Sequence, residues 1–157
     1  MQYPTEKHPF PSYIPDDCKY LIIGSFPPIK LTNKIIENIK IENLSVYYKN
    51  YDDNKRNKLG SQDIMFYYGS RDNLLWQKII SPLFEISINK KEDIIQFLNQ
   101  YKVGITDLIE TASRRIVKNK LSSSDSDLII YKMRDINEII KETKIKTIYT
   151  TSEFVTK

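Results

Sequence analysis

Short apolar runs punctuate a chain that is otherwise amphipathic or polar. Leu21-Ile22-Ile23, within KYLIIGSFPP (19–28), is continuously apolar and stops at Gly24, the pattern of a short buried strand. VGITDLI (103–109) and KTIYTT (146–151) are the second and third strand candidates. NLLWQKIISPLF (73–84) places Leu75, Trp76, Ile79, Ile80 and Leu83 at helical spacing. KKEDIIQFLNQYK (90–102) gathers Ile94, Phe97 and Leu98 on one face behind a candidate N-cap, Asn89, and Asp135 is placed to cap INEIIKETK (136–144). The order strand, helices, strand, helix, strand predicts a parallel α/β sheet with crossover helices. Ligands of such sheets bind outside the carboxyl ends of the strands, where GSFPP, TDLIETASRR and TTSEF fall as loops.

The remaining segments are irregular. Residues 1–18 carry Pro4, Pro9, Pro11 and Pro15 and predict an extended arm. Residues 29–65 form a polar insertion, with IKLTNKIIENIKIENL a candidate helix and YYKNYDDNKRNKLGSQD a loop. That loop mixes tyrosines with lysines and Arg56. It admits two readings, a solvated insertion or a flap facing DNA, since rings stack on bases and cations meet phosphates. SSSDSD (122–127) reads as a loop and helix start. There is no internal repeat or low-complexity tract, and 157 residues predict one domain, 1–157.

Composition narrows the chemistry. With 24 Lys and Arg against 20 Asp and Glu the net charge is +4, compatible with nucleic acid but no argument for it. Cys18 and His8 are single, so no internal disulfide, cysteine zinc site or multi-histidine metal centre can form. MQYPTEKHPFPSYIPDD lacks a signal-peptide core and no apolar run reaches membrane length, which predicts a cytoplasmic location and no membrane partner.

Three stretches carry candidate chemistry. In Gly24-Ser25-Phe26-Pro27-Pro28, a tight turn with fixed φ angles exposes main-chain N–H groups to a carbonyl or phosphate oxygen, or merely ends a strand. The Phe is expected to stand exposed. In FYYGSRDNLLW (66–76), Tyr67 and Tyr68 precede a flexible Gly69, and Asn73 either caps the helix or bonds a base edge or a water. In ITDLIETASRR, Asp107 follows a strand and Arg114 and Arg115 are candidate phosphate contacts. Downstream, Ser122, Ser123, Ser124 and Asp125 are either phosphate contacts at a helix start or a capped helix.

Taken in order, HPFP…YLIIGSFPP, FYYGSRDNLLW, GITDLIETASRR, SSSDSD and IKTIYTTSEFV resemble the uracil-DNA glycosylase superfamily, nearest the branch of mismatch-specific and hypoxanthine (deoxyinosine) DNA glycosylases. The resemblance runs from about His8 to the end, interrupted by 29–65. It implies a three-layer α/β/α fold around a central parallel sheet. It also implies a hydrolase of base-excision DNA repair that flips a deaminated base, uracil or hypoxanthine, from DNA and cleaves its N-glycosidic bond. No cofactor or metal is expected, the partner is DNA with a damaged or mismatched base, and the protein is expected to be a monomer.

The resemblance also distributes roles. Gly24, Ser25, Phe26 and Pro27 would wrap the base with Tyr68 stacked on it. Asn73 would be the polar catalytic residue. Arg71, Arg114, Arg115, Ser124 and Asp125 would contact DNA. Two departures stand out. Phe26 occupies the position where many members carry a water-orienting Asn or Asp, and Leu74-Leu75-Trp76 replaces the usual Arg-Phe-Trp. Relatives also continue past the TTSEFV-like strand into a helix, a last strand and a loop that enters the minor groove. The expectation is therefore a domain lacking its last strand, a fragment or a chain that has lost part of its site, with an unpaired sheet edge open to association. The alternatives kept beside a glycosylase are a non-catalytic DNA-binding relative and a small-molecule binding domain.

Overall fold

The computed structural model describes residues 3–35, 45–46, 48–49 and 57–156. Along the chain run β1 (Thr5–Lys7), β2 (Tyr20–Gly24), β3 (Asn33–Ile35), α1 (Leu75–Ile80, continued by Ser81–Phe84) and α2 (Lys91–Tyr101). They are followed by β4 (Val103–Asp107), β5 (Ile109–Arg114), β6 (Ile116–Val117), β7 (Lys120–Leu121), β8 (Leu128–Met133), α3 (Ile136–Lys141), β9 (Thr147–Thr150) and α4 (Glu153–Thr156). The protein is mixed α/β. The three apolar runs form one parallel sheet in the order β4-β2-β9, with Gly24 paired to Asp107 and Ile23 to Thr150. The strand ends are therefore level, and their last residues present a common edge.

The helical face of this sheet holds the main core. Ile94, Phe97 and Leu98 are buried as their spacing predicted, packed with Phe66, Trp76, Ile80 and Ile105. Each such side chain contributes roughly 1.5–3 kcal/mol by leaving water. The start of α2 falls one residue later than expected. Asp93 accepts from the N–H groups of both Asn89 (2.8 Å) and Lys90 (3.1 Å), so the carboxylate, not Asn89, satisfies the free donors. Asp135 caps α3 as predicted, accepting from Glu138 N–H at 3.1 Å. The first part of α1 is widened to π geometry, with Ser81 N–H donating to Trp76 five residues back. Pro82 follows directly and has no N–H to continue an α ladder. Trp76 and Ile80 face inward, while Ile79 and Leu83 are exposed.

A second sheet was not legible from periodicity. It is antiparallel, in the order β3-β1-β5-β8. Four expectations are corrected by it. The arm at 1–18 contributes β1, so it is an integral strand. Residues 33–35, expected as helix, pair with β1. ETASR is strand rather than loop, since the chain turns at Leu108 and leaves again as β5. SSSDSD makes a 3-10 turn at Asp125–Asp127 and then enters β8, not a helix. Of the rest of the predicted insertion, 36–44, 47 and 50–56 lie outside the described residues.

Why the arm reads as loop and folds as strand is a matter of charge burial. Glu6 is fully buried in β1, and Arg114 at the end of β5 is 6 % exposed; Nε of Arg114 lies 3.0 Å from Glu6 Oε2. Thr32 donates to Glu6 Oε1 at 2.6 Å, and Arg114 Nη2 donates to Pro27 O at 2.7 Å. A carboxylate in an unpromising polar-Pro segment is thus part of the interior. Removing one partner of such a pair leaves an uncompensated buried charge. Glu6→Gln is expected to lower the urea-unfolding free energy by about 3–5 kcal/mol; a loss below about 1 kcal/mol would show that the pair is solvated.

Candidate functional site

A cavity of about 560 Å³ opens at the carboxyl edge of the parallel sheet. The loop after β2 supplies Ser25, Phe26 and Pro27, the segment before α1 supplies Tyr67, Tyr68 and Asn73, and the end of β4 supplies Asp107. Arg114, Ser122, Ser123, Asp125, Thr151 and Ser152 are also among its lining residues. Segments far apart in sequence converge because the parallel register brings Gly24, Asp107 and Thr150 to the same level.

Position 24 has no room for a side chain. A Cβ there would lie 2.1 Å from Tyr68 Oη and 2.3 Å from Asp107 Oδ1. Glycine is required for this close approach rather than for a special φ, since no glycine here has positive φ. Tyr68 itself has φ 55°, a left-handed conformation costly for a bulky residue. Its hydroxyl lies 3.1 Å from Thr151 Oγ1, so the ring spans from the α1 side to the strand ends. Burial, with the neighbouring Asp107 carboxylate, holds the Tyr68 phenol well above its ordinary value, so it is a neutral O–H donor. Burial likewise pushes Tyr67 up to about 12.

Asp107 is buried, and its Oδ2 lies 2.7 Å from Nε2 of the buried His8. His8 Nδ1 accepts from Phe10 N–H at 3.1 Å. With that lone pair occupied, the ring proton is placed on Nε2 and is donated to Asp107. Asp107 Oδ1 has no hydrogen-bond partner among the described residues and faces the Tyr68 hydroxyl above Gly24.

Asn73 lines the cavity and also caps: its Oδ1 accepts from Leu75 N–H at 2.9 Å. The two readings left open by the sequence are therefore compatible, because its amide nitrogen donates to nothing among the described residues. Phe26 is half-buried, not a free-standing ring. It meets His8 edge-on at 6.1 Å and lies 5.7 Å from the Arg114 guanidinium. Arg114, expected as a phosphate contact, is buried and braces the loop through Pro27 O. Arg71, Arg115 and Ser124 are exposed and outside the cavity lining.

Sequence reasoning passed over His8, Thr151 and Lys30, and noted Asp107 only as following a strand. The one available signal was a polar residue at the end of each apolar run, Asp107 and Thr151. Lys30 had none. It is buried beside the cavity, 2.8 Å from Asp63 Oδ1 and 3.5 Å from Asp72 Oδ2, and so joins the GSFPP loop to the segment leading into α1. Among the described residues no group of His, Cys, Asp and Glu could hold a metal ion, and no helix is long and apolar enough to cross a membrane. No family model, curated protein or solved structure matches the chain.

The Lys30–Asp63 contact generates a pH test. Burial alone would raise Asp63, but the N–H of Arg71, the Lys30 ammonium and the N–H of Gly60 outweigh it and hold the carboxyl below its ordinary value. A lowered folded value stabilises the fold above the unfolded carboxyl pKa of about 3.9 and loses that contribution as pH falls through the lowered value. Asp63→Asn is expected to cost on the order of 3 kcal/mol at pH 7 by urea unfolding. The gap to wild type should shrink below about pH 4; a gap independent of pH would mean that Asp63 acts through shape alone.

Proposed function

We propose that the protein is a DNA base-excision glycosylase that takes a deaminated base, uracil or hypoxanthine, into this cavity, on a three-layer fold of the uracil-DNA glycosylase type. The observation that carries the reading is convergence. The stretches GSFPP and FYYGSRDN, the aspartate that ends β4, and Ser122, Ser123 and Asp125 of SSSD, whose order resembles that superfamily, meet in one cavity. Its size suits a flipped nucleotide, within the roughly 300–1,000 Å³ of small-ligand sites. Phe26, Tyr67 and Tyr68 offer aromatic surface, and Ser25, Asn73 and Asp107 offer polar contacts for a base edge.

Hydrolysis of an N-glycosidic bond needs the departing base's charge stabilised and a water held at C1′. In this reading Tyr68 contacts the base, the Ser25 backbone binds it, and the unpartnered amide of Asn73 donates to the charge that develops on it. Arg71 and Arg115 meet phosphates from outside. Arg114 keeps the loop in shape through Pro27. A second reading, a DNA-binding relative without catalysis, draws on two observations: the Asn73 carbonyl is already spent on Leu75 N–H, and Phe26 cannot orient water.

Strand nicking separates the two. Labelled duplexes carrying uracil, hypoxanthine or xanthine are incubated with the protein and treated with alkali; cleavage at the lesion is expected. Asn73→Asp keeps a capping oxygen but removes the amide donor, and Asn73→Ala removes both. Both are expected to abolish excision, with duplex binding close to wild type. Excision that survives in both removes Asn73 from the mechanism, and no cleavage of any of the three duplexes by wild type contradicts the glycosylase reading.

A further inference from the structure

We infer that Asp107, oriented by His8, is the general base that activates the attacking water, a role that rests on the glycosylase reading and supplies the water-activating group that Phe26 lacks. Four observations support the assignment. Asp107 ends the strand beside Gly24 and lines the cavity. One carboxylate oxygen, Oδ2, is held at 2.7 Å by His8, whose other nitrogen is occupied by the Phe10 amide. Oδ1 has no partner among the described residues and stands beside the Tyr68 hydroxyl. The missing Cβ at Gly24 is what lets Asp107 Oδ1 and the Tyr68 hydroxyl approach the same point.

The arrangement follows a general rule of acid–base sites: a reacting group, and a second group that fixes its orientation. The neutral His8 ring donates its only proton to Asp107 and cannot turn without stranding the Phe10 N–H. Asp107 is therefore held through one oxygen, and the other has no partner among the described residues and can accept a proton. In the reaction a water bound at Oδ1 attacks C1′. The water oxygen forms a bond to C1′ as the bond from C1′ to the base nitrogen breaks, and the bonding pair leaves with the base. One water proton passes to Oδ1. The proton on Oδ1 then passes to the departed base, directly or by way of solvent, which restores the carboxylate. The products are an abasic deoxyribose and the free base, with water the only co-reactant. Asp107 is the catalytic residue in this account and His8 a positioning residue.

Single-turnover excision, measured on whichever duplex the wild type cleaves, tests the assignment with full-length protein. Asp107→Asn and Asp107→Ala are expected to lower the rate at least about 100-fold, the usual contribution of a positioned general base. Duplex binding should change less than threefold, and thermal unfolding is checked in parallel. Added formate should restore part of the Asp107→Ala rate and leave Asp107→Asn unchanged, which a purely structural role would not produce. His8→Gln retains a donor where Nε2 sits and should keep most of the activity; His8→Phe should lose it in the rate constant rather than in binding. An Asp107→Asn variant within threefold of wild type, or loss in Asp107→Ala that formate never rescues, would overturn the assignment while leaving the glycosylase reading intact. A wild type that excises no base removes that reading, and the assignment with it.

Discussion

The cavity depends on a missing Cβ. At position 24 the chain passes so close to Tyr68 and Asp107 that a methyl group would sit 2.1 Å from one and 2.3 Å from the other. Gly24 and Asp107 are neighbours across the parallel ladder, so their approach is fixed by register. Tyr68 arrives from the opposite wall in a left-handed conformation and closes on Thr151. Three strand ends, one ring and one carboxylate are thereby brought to a single point. Interior contacts of this kind are close-packed, and even one added methyl group is felt.

The N-terminal arm holds that point from below. Glu6 anchors Arg114, which reaches the carbonyl of Pro27, and two residues further on His8 reaches Asp107. One short segment thus fixes both the loop after β2 and the carboxylate at the end of β4. Buried polar groups are costly unless satisfied, and this cluster is satisfied largely by side chains distant in sequence. Arg134 extends the pattern, pairing with Glu110 at 2.7 Å and donating to Phe10 O and the Tyr67 hydroxyl. The arm is therefore joined to β5, to the end of β8 and to the cavity wall at once.

What the sequence revealed and concealed follows from these forces. β2 and β4 were legible because burial makes them apolar, Leu21-Ile22-Ile23 being the plainest run, whereas β9 is exposed throughout and was legible from its β-branched and aromatic residues. The buried face of α2 was legible because 94, 97 and 98 share a helical stripe. The antiparallel sheet was not, because β1 is Thr-Glu-Lys and β5 is Ile-Glu-Thr-Ala-Ser-Arg, and ion pairing rather than hydrophobicity puts Glu6 and Arg114 inside. A single sequence carries no mark of which carboxylate will meet which guanidinium. For the same reason Arg114 reads as a phosphate contact from its neighbours and folds as a loop brace. Asn73 and Tyr68 were found as site candidates by resemblance. His8 and Asp107 take their place only when the fold pairs residues 99 positions apart.

The central claim is that the carboxyl edge of the parallel sheet receives a base turned out of DNA. The most direct test is amide chemical-shift mapping with a duplex carrying an uncleavable 2′-fluoro analogue of deoxyuridine or deoxyinosine. The account predicts shifts at Gly24, Ser25, Tyr68, Asn73, Asp107 and Thr151, absent with undamaged duplex of the same sequence, while the outer face of α2 stays unchanged. Shifts that are identical for damaged and undamaged DNA, or that bypass these six residues, would contradict it.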